Sequence, residues 1–232
     1  MAGFKTHITT STILGVGYGT AGLLVYNVHP ATCMLAGGLC SVSGMLPDLD
    51  SDSGVPLRES IAFAAAVIPM LLIDRLQQEG MSAESIVLTG AIIYIAIRFG
   101  VAELIKRYTV HRGMWHSIPA AAIACLMAFM LCTCDHMGYR LFKTGAVMIG
   151  FMSHLLLDEL YSIEWKRGQI RMKRSFGTAV KFWSKNTWAN ISTYVKLAAM
   201  AALVFAELTG AFGYRSGQIN EIAREFVDKI FR

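Results

Sequence analysis

The sequence predicts an all-α protein, a polytopic membrane bundle of about seven spans followed by a C-terminal amphipathic helix. Three observations lead there. Of 232 residues, 54% are hydrophobic and only 16% charged, with a mean hydropathy of +0.48, where a soluble domain carries about 25% charged residues. The apolar residues fall into seven separated stretches, at 8–28, 31–46, 60–74, 85–104, 117–133, 143–158 and 194–212. The net charge of +5 is unevenly distributed between the connections.

The elements follow in order. The first stretch has one lysine before it, Gly-rich apolar sequence from Gly15 to Gly22 and no small-residue cleavage site, so it is expected to be a retained helix. The 31–46 and 60–74 stretches fall short of the ~20 residues a spanning helix needs, and are expected to be tilted, half-buried or re-entrant. The remaining four read as spans. The segment 166–193 interleaves lysines with Phe176, Phe182, Trp183 and Trp188 and is expected to lie on anionic headgroups; nucleic acid is the less favoured partner. In the tail, Ile219, Ile222, Ala223, Phe226, Val227 and Ile230 recur at helical spacing, which predicts an amphipathic helix on the membrane surface or on another subunit. Three regions result: a membrane-embedded core at 1–160, a basic cytoplasmic segment at 161–193, and a last span with its tail helix at 194–232. The five cysteines are odd in number and lie in or beside apolar stretches, so buried free thiols are expected rather than a disulfide framework.

Charge gives the orientation. With a cytoplasmic N-terminus and seven spans, one side holds Lys5, Arg58, Lys106, Arg107, Arg112, Lys166, Arg167, Arg171, Lys173, Arg174, Lys181, Lys185 and Lys196, against Arg75, Arg140 and Lys143 in the short opposite loops. Cationic loops stay cytoplasmic, so the basic side is expected to face the cytoplasm. The tryptophans Trp115, Trp165, Trp183 and Trp188 fall on that side as an interfacial belt.

Four polar clusters fall on the same side: His7 ahead of the first span, Asp48, Asp50 and Asp52 after the second, His111, Arg112 and His116 before the fifth, and His154 with Asp158 at the end of the sixth. Ionisable groups at membrane level are costly and default to function. His154 and Asp158 are four apart, so a helix stacks them on one face where they can share an ion. Asp48 and Asp50 flank Leu49 after Pro47, and an extended turn would send both carboxylates one way. His111 and His116 need a turn at Gly113 to converge. Imidazole and carboxylate ligands suit Zn²⁺, Mn²⁺ or Fe²⁺, and the number of candidates favours two ions. Such a site activates water at neutral pH. Arg112 is the expected anion clamp, since guanidinium grips phosphate or carboxylate in a bidentate fork, and His116 is a candidate general acid or base.

The pieces "TH" at 6–7, "PDLD" at 47–50, "HRGMWHS" at 111–117 and "SHLLLD" at 153–158 resemble, in order and separation, the YdjM-like (LexA-regulated) membrane-bound metal-dependent hydrolases. The resemblance implies a metal-dependent hydrolase of the bacterial inner membrane. His7, Asp48, Asp50, His111, His116, His154 and Asp158 would be its metal set and the site would face the cytoplasm. The expected activity is hydrolysis of an ester or phosphoester in a lipid or membrane-associated substrate, with Arg112 and His116 as catalytic groups. Competing readings are a metal transporter or sensor, and an intramembrane metalloprotease. Ligands gathered at one face disfavour transport, and the chain lacks the His-Glu-x-x-His helix of a zinc protease.

Overall fold

The computed structural model describes residues 2–50, 55–101, 103, 114–132, 136–166, 169–172, 177 and 179–209. The helices are α1 (Phe4–Tyr26), α2 (Pro30–Ser43), α3 (Val55–Leu71), α4 (Ile73–Gln78), α5 (Ala83–Ile95), α6 (Ile118–Leu131), α7 (Met137–Leu160) and α8 (Thr187–Leu208). A 3-10 turn, Leu46–Asp50, follows α2, and α5 continues into a π-helical turn, Ala96–Val101. Each of the seven predicted apolar stretches contains a helix. Among the described residues, five helices are long and apolar enough to cross a membrane: Phe4–Tyr26, Pro56–Gln78, Ala83–Val101, Met137–Leu160 and Thr187–Leu208. The other two, α2 and α6, have 14 residues each, or about 21 Å of helix.

The shortness expected at 60–74 is corrected by this. Arg58 and Glu59 at one end and Asp74 and Arg75 at the other are helical, so the polar flanks that cut the apolar run do not end the helix. The 31–46 stretch is short as expected, and 117–133 joins it. Both short helices contribute to the core, with Ala36, Cys40 and Ala121 fully enclosed.

Packing rests on two rows of residues. On α1 the buried positions are His7, Ser11, Gly15, Gly19 and Gly22, spaced by four, four, four and three, which is one face of a helix. Without side chains, Gly15 and Gly19 let α2 come close; a Cβ on Gly19 would lie 2.8 Å from the Cys33 carbonyl oxygen. Close approach through small residues is how helices associate where lipid removes the hydrophobic drive. On α7 the buried row includes Thr144, Val147, Gly150, Phe151, His154 and Asp158. Phe151 and Leu155 pack on Ala120 and Ala121 of α6, while Ala146 packs on Ala36 and Cys40 of α2. Each row ends in ionisable residues at the same end of the bundle.

Four further points differ from, or lie beyond, the sequence-based expectations. Arg140 and Lys143 are not loop residues but lie in α7, buried. Arg140 is accommodated because its Nη2 meets Glu207 of α8 at 2.7 Å and its Nε donates to the Phe129 carbonyl at 2.8 Å. Lys196 lies within α8 rather than in the basic connection. That connection holds an unanticipated antiparallel hairpin, β1 (Ile163–Lys166) with β2 (Gln169–Met172), in which Lys166 pairs with Gln169. Finally, the tail helix expected at 216–232 lies outside the described residues, as does Cys134; Cys33, Cys40 and Cys125 are free thiols, and Cys132 is buried.

Candidate metal centre

Five side chains converge at the end of the bundle where α1 begins and α7 ends. His7 comes from the first turns of α1, Asp48 from the 3-10 turn after α2, and His116 from the residues leading into α6. His154 and Asp158 come from the last turns of α7. His7 Nε2 lies 3.3 Å from Asp158 Oδ1, and the His7 ring stacks on His154 with centroids 3.6 Å apart. His154 Nε2 lies 3.6 Å from both Asp48 Oδ1 and Asp158 Oδ2. His116 Nε2 is 3.2 Å from Asp48 Oδ1 and 3.8 Å from Asp158 Oδ2. Two triads, His7–His154–Asp158 and Asp48–His116–His154, each bring their ligand atoms within 4.8 Å of one another.

Local sequence explains why these groups meet. The end of α2 runs into the 3-10 turn Leu46–Asp50 that delivers Asp48, and α2 is held to α1 by polar contacts. Ser11 Oγ donates to the Ser41 carbonyl at 2.7 Å, and Thr12 and Ser41 share a hydroxyl contact at 2.6 Å. Gly150 lets α2 lie against α7, since a methyl there would overlap the Cys40 carbonyl and the Ser43 hydroxyl. This proximity puts the Gly44 carbonyl 2.7 Å from His154 Nδ1. Before α6, Ser117 caps the helix by accepting from the Ala120 N–H at 3.3 Å, with Pro119 in the first turn, which fixes the residue next to His116.

The hydrogen bonding of His154 carries the chemistry. A carbonyl only accepts, so Nδ1 must hold the proton it gives to Gly44, and the neutral ring therefore presents a bare lone pair at Nε2. That lone pair faces two carboxylates, which also only accept. His154 Nε2 and His7 Nδ1 are both buried without a hydrogen-bond partner. An acceptor surrounded by acceptors is costly in a buried site, and a cation at Nε2 removes the conflict. The residues present thus fit a divalent metal. The carbonyl behind the imidazole is the kind of partner that orients a metal-ligating histidine.

Asp158 is held from behind as well, its Oδ1 accepting the Ala2 amide N–H at 2.9 Å. Burial alone would raise the carboxyl of Asp48. The hydrogen bond with His116, helped by the neighbouring imidazoles, outweighs burial and holds it below its ordinary value. The cluster is closed on one side and open on the other: the side chains of His7, His154 and Asp158 are at most 2% exposed, against 12% for His116 and 24% for Asp48.

Of the residues singled out from sequence, His7, Asp48, His116, His154 and Asp158 are together. The side chain of Asp50 lies outside the described residues, as do Asp52, His111 and Arg112. The turn at Gly113 expected to bring His111 to His116 is also outside them. Sequence reasoning missed three supporting groups: the Gly44 carbonyl, the Ala2 amide and Glu159, whose Oε1 accepts the Gly177 N–H. Main-chain donors and acceptors carry no residue signature, and only Glu159, adjacent to a candidate ligand, offered one.

No curated protein and no solved structure matches the chain. A family match exists and covers residues 1–214, taking in every residue of the cluster. The chain belongs to the family described as YdjM inner membrane protein.

Proposed function

We propose that this protein is a membrane-bound metal-dependent hydrolase acting on an ester or phosphoester of a lipid or membrane-associated substrate, with its site toward the cytoplasm. The observation that carries the reading is the bare, buried Nε2 of His154 between two carboxylates. His7, His154 and Asp158 form the closed side of the ion's cage, and Asp48 joins them from the open side. A divalent ion such as Zn²⁺, Mn²⁺ or Fe²⁺ would supply Lewis acidity and an activated water. His154 keeps one tautomer through Gly44, so its lone pair needs no rearrangement as the reaction proceeds. His116, partly exposed and hydrogen-bonded to Asp48, holds a proton at the side from which substrate arrives and can pass it to the leaving oxygen. Arg112, four residues earlier in the chain, would steady the anion.

The two triads share one nitrogen of His154, whose other nitrogen is engaged with Gly44. The described residues therefore support one ion, and a second would draw on Asp50 and His111. Elemental analysis of protein purified without chelator, alongside His154→Ala and Asp48→Ala, tests this reading together with hydrolysis of a panel of lipid and soluble phosphoesters. The expected result is bound metal in the natural protein, lost with hydrolysis in both variants. A metal-free natural protein would overturn the reading. Arg112→Lys should keep the metal while losing the bidentate fork, slowing hydrolysis roughly a hundredfold, or about 2–3 kcal/mol.

A further inference from the structure

The chain after the hairpin is fastened to the same elements that carry the cluster. The Gly177 N–H donates to Glu159, the neighbour of Asp158. Ala179 is buried, and Val180 packs on the core of Ala120, Ala121, Phe151 and Leu155, the last of these adjoining His154. The Lys181 carbonyl accepts the Ile118 N–H at 3.1 Å, two residues beyond His116. From that anchor the side chains turn outward: Phe182 is 55% exposed and Trp183 66%. They are not loose. Tyr194 donates from its hydroxyl to the Phe182 carbonyl at 3.0 Å, and its ring stacks on Trp183 with centroids 4.6 Å apart. On the other side of Ile118, Trp115 is exposed beside His116, and Trp188 is exposed at the start of α8.

Exposed tryptophans near the ends of apolar helices, here Trp115, Trp188 and the stacked Trp183, mark the depth of lipid headgroups. Lys181 and Lys185 interleave with them, and the sequence just before adds Lys166, Arg167, Arg171, Lys173 and Arg174. Clustered cations beside a membrane segment complement an anionic leaflet at about 1 kcal/mol each. The open side of the cluster, at Asp48 and His116, is next to this surface in the chain through Trp115 and Ile118.

We infer that the surface of Trp115, Phe182 and Trp183 with Lys181 and Lys185 docks on an anionic lipid leaflet and so presents lipid headgroups, not soluble esters, to the Asp48–His116 side of the cluster. The docking surface stands on its own geometry. The substrate class rests on the hydrolase reading above.

The test uses the full chain in lipid nanodiscs with Trp183 as the sole tryptophan (Trp115→Phe, Trp165→Phe, Trp188→Phe). Its fluorescence is quenched by chain-brominated phosphatidylglycerol or by chain-brominated phosphatidylcholine at the same low mole fraction, with metal content measured on the same sample. The anionic quencher should be at least about twofold more effective, and Lys181→Glu with Lys185→Glu should bring the two to parity. Equal quenching by both lipids in the unsubstituted surface overturns the inference. So does quenching by aqueous iodide in place of bromolipid, or silence to both, which would mean that protein covers the surface. Lipid preference without bound metal would leave the docking surface standing and remove the hydrolase reading. Bound metal without lipid preference would do the reverse.

Discussion

The two ends of the bundle bury ionisable groups in opposite ways. At one end Arg140 is enclosed, yet its donors are used: Nη2 meets Glu207, Nε meets the Phe129 carbonyl, and the guanidinium lies 3.7 Å over the Phe129 ring. Arg75 adds a second, looser contact to Glu207 at 3.7 Å. Donor faces acceptor, and the result ties α4, α6, α7 and α8 together. At the other end, three imidazoles and two carboxylates crowd together, and the central nitrogen faces only acceptors. Equal burial therefore does not mean equal purpose. A donor that faces an acceptor holds helices, even where Glu207 keeps its second oxygen buried without a partner, whereas an acceptor left facing only acceptors fits the cation proposed above.

Four experiments press on this contrast, in descending order of expected effect on stability. Arg140→Ala strands Glu207 in the interior with only the distant Arg75, and should cost about 3–5 kcal/mol, read as a fall in the thermal midpoint in detergent. The metal bound per folded molecule should not change. If it drops in step with stability, the two ends are not independent. Restoring neutrality with Arg140→Met and Glu207→Leu together should recover most of the loss, since an ion pair replaced by apolar groups is often nearly neutral.

Gly150→Ala sharpens the comparison because it acts on both sides of it. A methyl at 150 collides with Cys40 and Ser43, and overpacking of this kind costs about 1–3 kcal/mol. The added displacement of α2 pulls the Gly44 carbonyl from His154. Loss of an outer partner should weaken metal affinity about 10–100-fold, measured by competition with a chromogenic chelator. Unchanged affinity would show that Gly44 does not orient the ring.

Ser117→Ala should cost about 1 kcal/mol through loss of the cap on α6. Metal content should be retained, making it the control for variants near His116. Ala2→Pro is the gentlest, removing only the N–H that reaches Asp158. About 1 kcal/mol or less of stability should go, with a small fall in metal affinity. A full loss of metal in Ala2→Pro would mean that the N-terminal segment does more than orient one carboxylate.

What sequence made visible follows from range and periodicity. Each of the seven apolar runs contains a helix, and the i, i+4 spacing of His154 and Asp158 placed them on one face, as found. Membrane topology brought His7, Asp48 and His116 to the same end without knowledge of any contact. The Arg140–Glu207 pair was invisible because its partners are 67 residues apart and Arg140 read as a loop charge flanking an apolar run. The hairpin was hidden for another reason. Ile163, Trp165, Ile170 and Met172 alternate with polar residues across a two-residue Arg-Gly connection, a strand-turn-strand signal, but the density of basic residues drew attention to charge instead of period. Hairpin logic applied to 163–172 would have found it.

The ligand set also dictates when the centre can come into being during synthesis. Its members emerge at the start of the first helix, after the second, before the sixth and at the end of the seventh. A chain still being inserted, with α7 yet to leave the ribosome, exposes His7, Asp48 and His116 but lacks His154, the one residue both triads share. An ion met at that stage would find neither triad complete. If the cluster holds the proposed ion, loading would wait until residue 158 has been delivered and α7 has docked on α1 and α2, so the ion would arrive as the final component of assembly rather than as its nucleus.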